Sequence, residues 1–360
     1  MHDFEYQALP ARAVFGAGAA HTRLSGEFDR LGATRILLVA TERERPLVDE
    51  LVAPFANRVV ATFTGVRQHV PVAVAQQARE LAASVGADAV LAVGGGSTTG
   101  TAKAIALTTG LPVVAVPTTY AGSEVTPLWG LTENGRKTTG TDPVVLPRAV
   151  VYDPELTLTL PADLSATSGL NAMAHCVEAF WAPRRNPISS LVAEEGIRAL
   201  ATGLPAVVAC GDDLEARSEV LYGSYLAGVA LAGAGTGLHH TICHVLGGAF
   251  DLPHAATHAV VLPHVLAFNA PGAPDAARRI GRALGGGDPV HALRALGTQL
   301  GIPRGLRELG MREDQIDEAV ALVAATVPAD NPVPVDAAAL RGLLRAAWAG
   351  EPGTTEEEQP

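Results

Sequence analysis

The sequence has few cysteines, no excess of positive charge and no long apolar segment, and each absence argues against a class of protein. Its three cysteines, Cys176, Cys210 and Cys243, form no CxxC pair, which argues against a disulfide scaffold and fits a reducing compartment. Lysine and arginine number 26 against 37 acidic residues, and the net charge is −11. We therefore expect no nucleic-acid partner and no anionic-membrane surface.

No apolar run approaches the roughly 18 residues that span a bilayer. The N-terminal sequence also lacks the basic-then-apolar order of a signal peptide. The 360 residues are 48% hydrophobic and 18% charged, which excludes disorder for the body of the chain and allows a large core. At about 150 residues per domain, this length suggests two domains. We expect a soluble, cytoplasmic protein.

The first part of the sequence alternates strand and helix signals. Segments with helical spacing separate short, uniformly apolar runs at residues 35–40, 58–64, 89–93, 112–116 and 149–152. Such strands indicate a parallel sheet covered on both faces. We predict a Rossmann-like α/β dinucleotide-binding domain over residues 1–155.

The rest of the chain is predicted to be helical. β-branched runs become rare after residue 155, and helical periods recur over residues 164–182, 187–201, 214–234 and 236–246. We predict an all-helical catalytic domain over residues 156–350. The polar, acidic residues 351–360 are predicted to form a disordered tail.

A run of glycines, Gly94, Gly95 and Gly96, is followed by Ser97 between a buried-type strand and a helix. Glycine lets backbone N–H groups approach a pyrophosphate, and the helix N-terminus adds a favourable dipole. The segment is neither GxGxxG nor a Walker A motif. A tight turn that needs glycine is therefore an equal alternative to phosphate binding.

A second polar segment, residues 117–126, follows the next predicted strand and contains Thr118, Thr119 and Ser123. The C-terminal ends of strands are where α/β folds bind ligands, although such hydroxyls also cap their own loop. Two loops of this kind on successive strands favour one shared nucleotide site. Lys137, a little downstream, is either a phosphate ligand or a solvated lysine.

Thr41 lies just past the strand at residues 35–40. Dinucleotide-binding folds place an acidic residue there, which binds the ribose 2′-hydroxyl and repels a 2′-phosphate. Here Arg43 and Arg45 lie close by, with Glu42 beside them. We infer tolerance of NADPH as well as NADH, with ordinary surface charges as the alternative.

Several of the eleven histidines fall in two groups. Asn171 and His175 are four residues apart on one predicted helix, and His240 and His244 repeat that spacing on a later helix. Each pair therefore shares a helix face, while His254 lies on a new segment. The spacing favours a shared site over separate structural histidines. Further histidines nearby are His239, His258 and His264.

The residue types leave two chemistries open for this site. Three histidines can hold Zn²⁺, but Asn171 offers a neutral amide, which is a poor ligand for a transition metal. The alternative is a metal-free pocket that binds a carboxylate-bearing substrate, because imidazole donates hydrogen bonds and gains positive charge beside an anion. Glu178, seven residues after Asn171, either orients a histidine or is a surface charge.

With these motifs, the chain resembles the iron-containing alcohol dehydrogenase superfamily, which shares its fold with dehydroquinate synthase. The resemblance rests on residues 15–18, 94–97, 117–126, 168–178 and 240–254, and it covers nearly the whole chain apart from the tail. It implies a nucleotide-binding α/β domain, a helical domain, a cleft between them and a homodimer.

Members of this superfamily hold Fe²⁺ or Zn²⁺ through one aspartate and three histidines. The matching positions here are Asn171, His175, His240 and His254, so an amide stands where the family has an aspartate. His244 matches a histidine placed near the nicotinamide. Gly100 is a second departure, because the family usually has an aspartate there.

These departures resemble the maleylacetate reductase branch, which reduces maleylacetate to 3-oxoadipate in aromatic catabolism with NADH or NADPH, typically without a metal. The resemblance implies a small dianionic substrate bound by Asn171, His175, His240 and His254, with His244 as the first choice of proton donor and no metal. The alternatives are a metal-dependent alcohol or aldehyde dehydrogenase that uses the three histidines, and a dehydroquinate synthase-like lyase.

Overall fold

The computed structural model describes residues 4–9, 11–133 and 136–351. The predicted tail over residues 351–360 lies outside these residues apart from Glu351. The chain divides into two compact units. An α/β unit comprises Ala8–Leu160 and Gly211–Leu221, and a helical unit comprises Pro161–Cys210 and the chain from Tyr222 onward, together with the residues up to Gln7. The domain boundary at residue 155 stays a prediction of the sequence.

The α/β unit is built on a six-stranded sheet in the order β1-β8-β5-β4-β2-β3, and every neighbouring pair is parallel. β6 and β7 form a separate antiparallel hairpin. The predicted apolar runs correspond to β2, β3, β4, β5 and β8. The strands are β1 (Arg12–Phe15), β2 (Ile36–Val39), β3 (Val59–Phe63), β4 (Ala89–Gly94), β5 (Val113–Pro117), β6 (Leu128–Glu133), β7 (Arg136–Thr141) and β8 (Ala149–Tyr152).

Helices cover both faces of this sheet: α1 (Ala19–Leu31), α2 (Arg45–Val52), α3 (Val72–Ser84) and α4 (Gly96–Thr109). Leu24 and Phe28 of α1 pack on one face, and Ala78 of α3 and Ile105 of α4 pack on the other. β4 is therefore buried at all of its positions, which explains its uninterrupted apolar sequence and confirms the predicted sheet.

The strand register brings the predicted nucleotide loops to one edge of the sheet. Gly94 at the end of β4 pairs with Pro117 at the end of β5, and Val39 of β2 pairs with Ala92 of β4. The segments that leave these three strands therefore begin side by side.

The helical unit confirms the predicted all-α second half. Within it, α5 packs against α6 and α9, and α8 packs against α9 and α12. α7 begins in the α/β unit and ends in the helical unit. The helices are α5 (Ala162–Glu178), α6 (Pro187–Ala209), α7 (Leu214–Ala234), α8 (Leu238–Phe250), α9 (His254–Asn269), α10 (Pro274–Ala283), α11 (Pro289–Gln299), α12 (Ile316–Ala324) and α13 (Ala337–Ala349).

Within residues 4–9, 11–133 and 136–351, no helix is both long enough and apolar enough to cross a membrane. The long helix α6 buries Ile197, Leu200 and Leu204 in the core of the helical unit.

Candidate functional site

The glycine-rich turn at the end of β4 needs glycine for backbone and packing reasons. Gly94 has φ +147°, and a Cβ there would lie 2.5 Å from Thr98 Oγ1, while a Cβ on Gly95 would lie 3.1 Å from Thr119 Cγ2. Gly95 is the N-cap residue of α4 and provides no side-chain cap. The first N–H groups of α4 are therefore suited to an external anion such as a pyrophosphate.

The segment that follows β5 lies directly against this turn. The Thr118 N–H donates to the Gly94 carbonyl oxygen at 3.2 Å. Ala121 Cβ lies 3.3 Å from the position of a Cβ on Gly96. The structure thus brings together most of the residues that the sequence predicts for the cofactor: Gly94, Gly95, Gly96, Ser97, Thr118 and Thr119.

Ser123 is fixed by Lys103, a buried residue of α4 that the sequence prediction of the site does not include. Lys103 Nζ donates to the carbonyl oxygens of Ser123 at 2.6 Å, Thr126 at 2.8 Å and Leu128 at 2.8 Å. Burial lowers the pKa of Lys103 to about 7, against the opposing charge of Glu124. Lys103 therefore holds this segment in place. The signal for it is a single charged residue in an otherwise uncharged helix.

Thr41 is linked to the segment after β5 by the side chain of Glu44. The Thr41 N–H and hydroxyl donate to Glu44 Oε2 at 3.0 and 2.8 Å, and the Thr118 hydroxyl lies 3.3 Å from Glu44 Oε1. Lys137 belongs to β7, but its side chain is outside the described residues. Its contact with a phosphate stays a prediction.

A cluster of imidazoles lies in the helical unit where α5, α8 and α9 pack together. His175 of α5 stacks on His240 of α8, with ring centroids 4.9 Å apart. His244 of α8 and His254 of α9 are nearly parallel at 6.3 Å. Asn171 is buried one turn before His175 on α5. The spacing-based pairs therefore converge on one place, as the sequence predicts.

His258 lies at the centre of this cluster, although the sequence places it only nearby. Its ring centroid is 4.5 Å from that of His254 and 4.9 Å from that of His240. Its Nδ1 lies 2.9 Å from His239 Nε2, and both rings are fully buried. The signal was present, because His254 and His258 repeat the four-residue spacing of the other pairs.

Glu178, the last residue of α5, is buried and binds the start of α8. Its two carboxylate oxygens accept the N–H groups of Gly237 at 2.8 Å and His239 at 2.6 Å, so it caps this helix. Oε2 also lies 2.5 Å from His240 Nδ1. Because an ionised carboxylate only accepts hydrogen bonds, His240 carries a proton on Nδ1 and presents Nε2 elsewhere. Of the two interpretations that the sequence left open for Glu178, a residue that orients a histidine or a surface charge, the structure supports the first.

Five buried polar atoms of the cluster have no hydrogen-bond partner in the described part of the chain: Asn171 Oδ1, His175 Nδ1, His239 Nδ1, His240 Nε2 and His258 Nε2. Each unsatisfied buried group costs about 1–3 kcal/mol, so their concentration indicates a surface that a ligand completes. Burial, reinforced by the neighbouring histidines, holds the pKa values of His175 and His258 well below the usual range. These two rings are neutral near pH 7.

This donor set includes one poor ligand for a metal ion. Asn171 supplies an amide where a transition metal favours a carboxylate or imidazole. The Glu178–His240 contact is also how proteins orient a metal ligand, but it equally orients an imidazole that hydrogen-bonds a substrate. In the described part of the chain, two groups of side chains have ligand atoms that all lie within 4.8 Å of one another, and neither group contains His175, His240 and His254 together. Those groups are His239, Cys243 and His258, and His21, Asp153 and Glu155.

The arginines nearest the cluster in sequence are engaged in other contacts. Arg184 Nη2 donates to the Ala232 carbonyl oxygen at 3.2 Å, and Arg185 Nη1 lies 3.8 Å from the Asp330 carboxylate. A lyase that acts on a sugar phosphate needs basic groups facing its substrate. These contacts therefore count against the dehydroquinate synthase-like alternative.

Comparison with known families and proteins gives a consistent result. The profile described as "Iron-containing alcohol dehydrogenase" matches residues 10–154, and the profile described as "Fe-containing alcohol dehydrogenase family, C-terminal" matches residues 165–348. The chain is 49% identical to a maleylacetate reductase from Sphingobium indicum, over 98% of this chain and 99% of the relative. It is 47% identical to one from Burkholderia cepacia, over 97% and 99%.

Solved structures agree with these sequence matches. A maleylacetate reductase from Agrobacterium tumefaciens superposes with a TM-score of 0.93 at 44% identity, over 98% of this chain and 99% of that one. An iron-containing alcohol dehydrogenase from Corynebacterium glutamicum superposes with a TM-score of 0.95 at 48% identity, with the same coverage.

Proposed function

The chain belongs to the iron-containing alcohol dehydrogenase family, and from this premise we propose that it is an NAD(P)H-dependent oxidoreductase that reduces maleylacetate to 3-oxoadipate in the degradation of aromatic compounds. Relatives at 44–49% identity over nearly the whole chain carry the name maleylacetate reductase. The structural observation that carries the proposal is the buried imidazole cluster with five unpartnered buried polar atoms.

The charge balance of the cluster suits a substrate with two carboxylates. Asn171 is uncharged, and both oxygens of Glu178 are engaged by N–H groups of α8 and His240. At an effective dielectric constant near 20, two unit charges about 4 Å apart interact by on the order of 4 kcal/mol. An aspartate in place of Asn171 would therefore oppose binding of a dianion, and the amide removes this repulsion.

The reaction can proceed without a metal because the substrate activates itself. Bound NAD(P)H supplies a hydride. Hydride adds to the alkene carbon β to the ketone, and the electron pair of the double bond moves to the ketone oxygen as an enolate. Hydrogen-bond donors stabilise that oxygen, and a proton from an acid completes the reduction at the neighbouring carbon. The Lewis acid of an alcohol dehydrogenase is not needed for this step, so we propose a metal-independent reaction.

The side chains of the cluster divide these tasks among them. Asn171, His175 and His254 hold the substrate's carboxylates and ketone. Glu178 holds the His240 ring at Nδ1, which leaves Nε2 to form a hydrogen bond with the ketone oxygen as the enolate develops. His244 is exposed and can regain a proton from water between turnovers, which supports it as the proton donor.

A metal-dependent alcohol or aldehyde dehydrogenase is the second candidate, because the Glu178–His240 contact has the form of a carboxylate behind a metal-bound histidine. A substrate panel separates the two. With maleylacetate, we expect loss of NADH or NADPH absorbance matched by formation of 3-oxoadipate. Activity on short-chain aldehydes only, and only with added Fe²⁺ or Zn²⁺, would support the second candidate instead.

A homodimer and a cytoplasmic location belong to the same proposal. Light scattering during size-exclusion chromatography measures the mass of the particle directly. A mass of twice the 37.0 kDa chain is the expected result, and a monomer at assay concentration would contradict the dimer.

A further inference from the structure

The carboxylate of Glu44 lies where a dinucleotide-binding site distinguishes NADH from NADPH. We propose that Glu44 binds the ribose hydroxyls next to the adenine and disfavours a 2′-phosphate, so that the enzyme prefers NADH. This inference rests on the proposed use of a nicotinamide cofactor. The sequence analysis considered Thr41, just past β2, as the position that selects the cofactor. The inference assigns this role to Glu44, three residues later.

The first step is the position of the carboxylate relative to the sheet. Glu44 follows β2 on a short 3₁₀ turn (Glu42–Glu44), and its Oε2 accepts the N–H and hydroxyl of Thr41 at 3.0 and 2.8 Å. Its Oε1 lies 3.3 Å from the hydroxyl of Thr118, which follows β5. The carboxylate therefore joins the ends of two strands that lie on either side of β4.

The second step is its distance from the glycine turn. A Cβ built on Gly94 would lie 2.9 Å from Glu44 Oε1 and 3.0 Å from Oε2. The negative charge is therefore next to the turn that is predicted to carry the pyrophosphate. The acidic group of a dinucleotide-binding fold acts at this place, at the end of the strand beside the glycine-rich loop.

The third step concerns the neighbouring arginines, which the sequence suggests as partners for a 2′-phosphate. The Arg45 guanidinium lies on α2 and pairs with Asp49 at 3.0 Å. Arg43 is exposed on the same 3₁₀ turn as Glu44. The charge held against the glycine turn by hydrogen bonds is thus the carboxylate. A carboxylate accepts from ribose hydroxyls and repels a phosphate dianion.

The test replaces the charge and keeps the hydrogen bonds. In Glu44→Gln, the amide oxygen still accepts from Thr41, so the turn keeps its cap. We expect the ratio of the Kd for NADPH to the Kd for NADH to fall by about tenfold, equivalent to about 1.4 kcal/mol. Glu44→Asp keeps the charge and should keep the preference for NADH.

Glu42→Gln is the matched control, because it removes the same charge from an exposed side chain of the same turn. Its Kd ratio should equal that of the wild type. Binding is measured by nicotinamide fluorescence in the absence of maleylacetate. If the enzyme does not reduce maleylacetate, the turnover assay fails, but the ratio of Kd values still tests the role of Glu44. An unchanged ratio in Glu44→Gln, or equal changes in Glu44→Gln and Glu42→Gln, would overturn the assignment.

Discussion

Glu178 Oε2 lies 2.5 Å from His240 Nδ1 while the same carboxylate caps the first turn of α8. One buried side chain thus joins α5 to α8 and sets the direction of an imidazole in the cluster. Its negative charge is balanced by N–H groups of the helix and the ring. Glu178 contacts His240 only at Nδ1, so the other ring nitrogen, Nε2, remains available to a ligand.

Glu178→Gln should impair both folding and catalysis. Both carboxylate oxygens now accept hydrogen bonds from N–H groups. The NH₂ group of glutamine cannot accept them, so at least one buried N–H donor would lose its partner, which costs about 1–3 kcal/mol of stability. If the transition state loses a similar amount of stabilisation because His240 is no longer held in place, kcat falls by about tenfold to a hundredfold. Urea unfolding and steady-state kinetics measure the two effects.

Glu195→Gln is the control for this variant, because Glu195 lies on α6 and pairs with the half-exposed Arg198 at the surface of the helix. It should leave kcat unchanged and lower the free energy of unfolding by less than about 1 kcal/mol. Wild-type kcat in Glu178→Gln would show that the contact with His240 has no catalytic role.

Asn171→Asp should raise the KM for maleylacetate by about tenfold or more, because it introduces a charge beside a bound dianion. We also expect the carboxylate to increase the uptake of Fe²⁺ or Zn²⁺, measured by equilibrium dialysis and elemental analysis. Asn57→Asp adds the same charge at an exposed position of the α/β unit and should change neither. Unchanged KM together with unchanged metal uptake would remove Asn171 from the substrate site.

Gly94→Ala should destabilise the glycine turn and weaken NADH binding. The residue has φ +147°, and the new Cβ would meet Thr98 Oγ1 and the carboxylate of Glu44. Such backbone strain costs about 1–3 kcal/mol. Gly26→Ala in α1 is the control: a Cβ there meets nothing within 4 Å, so stability should rise by up to about 1 kcal/mol. Normal stability and NADH affinity in Gly94→Ala would contradict the structure of the turn.

The buried imidazoles should make the protein sensitive to acid. Burial holds the pKa values of His175, His239 and His258 well below the ordinary value for histidine. Below about pH 6.5 the unfolded chain therefore binds more protons than the folded chain, and the free energy of unfolding falls as the pH falls. Each such group contributes up to about 1.4 kcal/mol per pH unit.

His258→Gln tests this acid sensitivity, because it removes one of the three groups. The slope of unfolding free energy against pH, measured by urea unfolding below about pH 6.5, should decrease by close to one proton. His291→Gln, at an exposed position of α11, should leave the slope unchanged. Equal slopes in His258→Gln and the wild type would show that His258 is not held neutral.

The sheet could be predicted from the sequence because burial on both faces leaves uniformly apolar runs. β1 buries only Val14 among its four residues, and β6 is half-exposed, so neither strand leaves that signal. The division of α7 between two units depends on contacts distant in the sequence. Local periodicity therefore predicts the helix, but it does not show which part of the helix belongs to which unit.

The histidine pairs could be predicted because the four-residue spacing places side chains on one face of a helix. What lies opposite such a face is set by packing, so the sequence left the role of Glu178 open and placed His258 only nearby. Glu44 is a similar case. Its carboxylate contacts Thr41 and Thr118, and that contact exists only because β2 and β5 end at the same edge of the sheet.

The most direct test of the central claim is turnover of maleylacetate by protein that has been stripped of metal and assayed with a chelator, with elemental analysis of the same sample. A metal-independent site predicts the rate of the untreated protein at far less than one iron or zinc per chain. Loss of turnover on stripping, with recovery when one Fe²⁺ or Zn²⁺ per chain is restored, would contradict it.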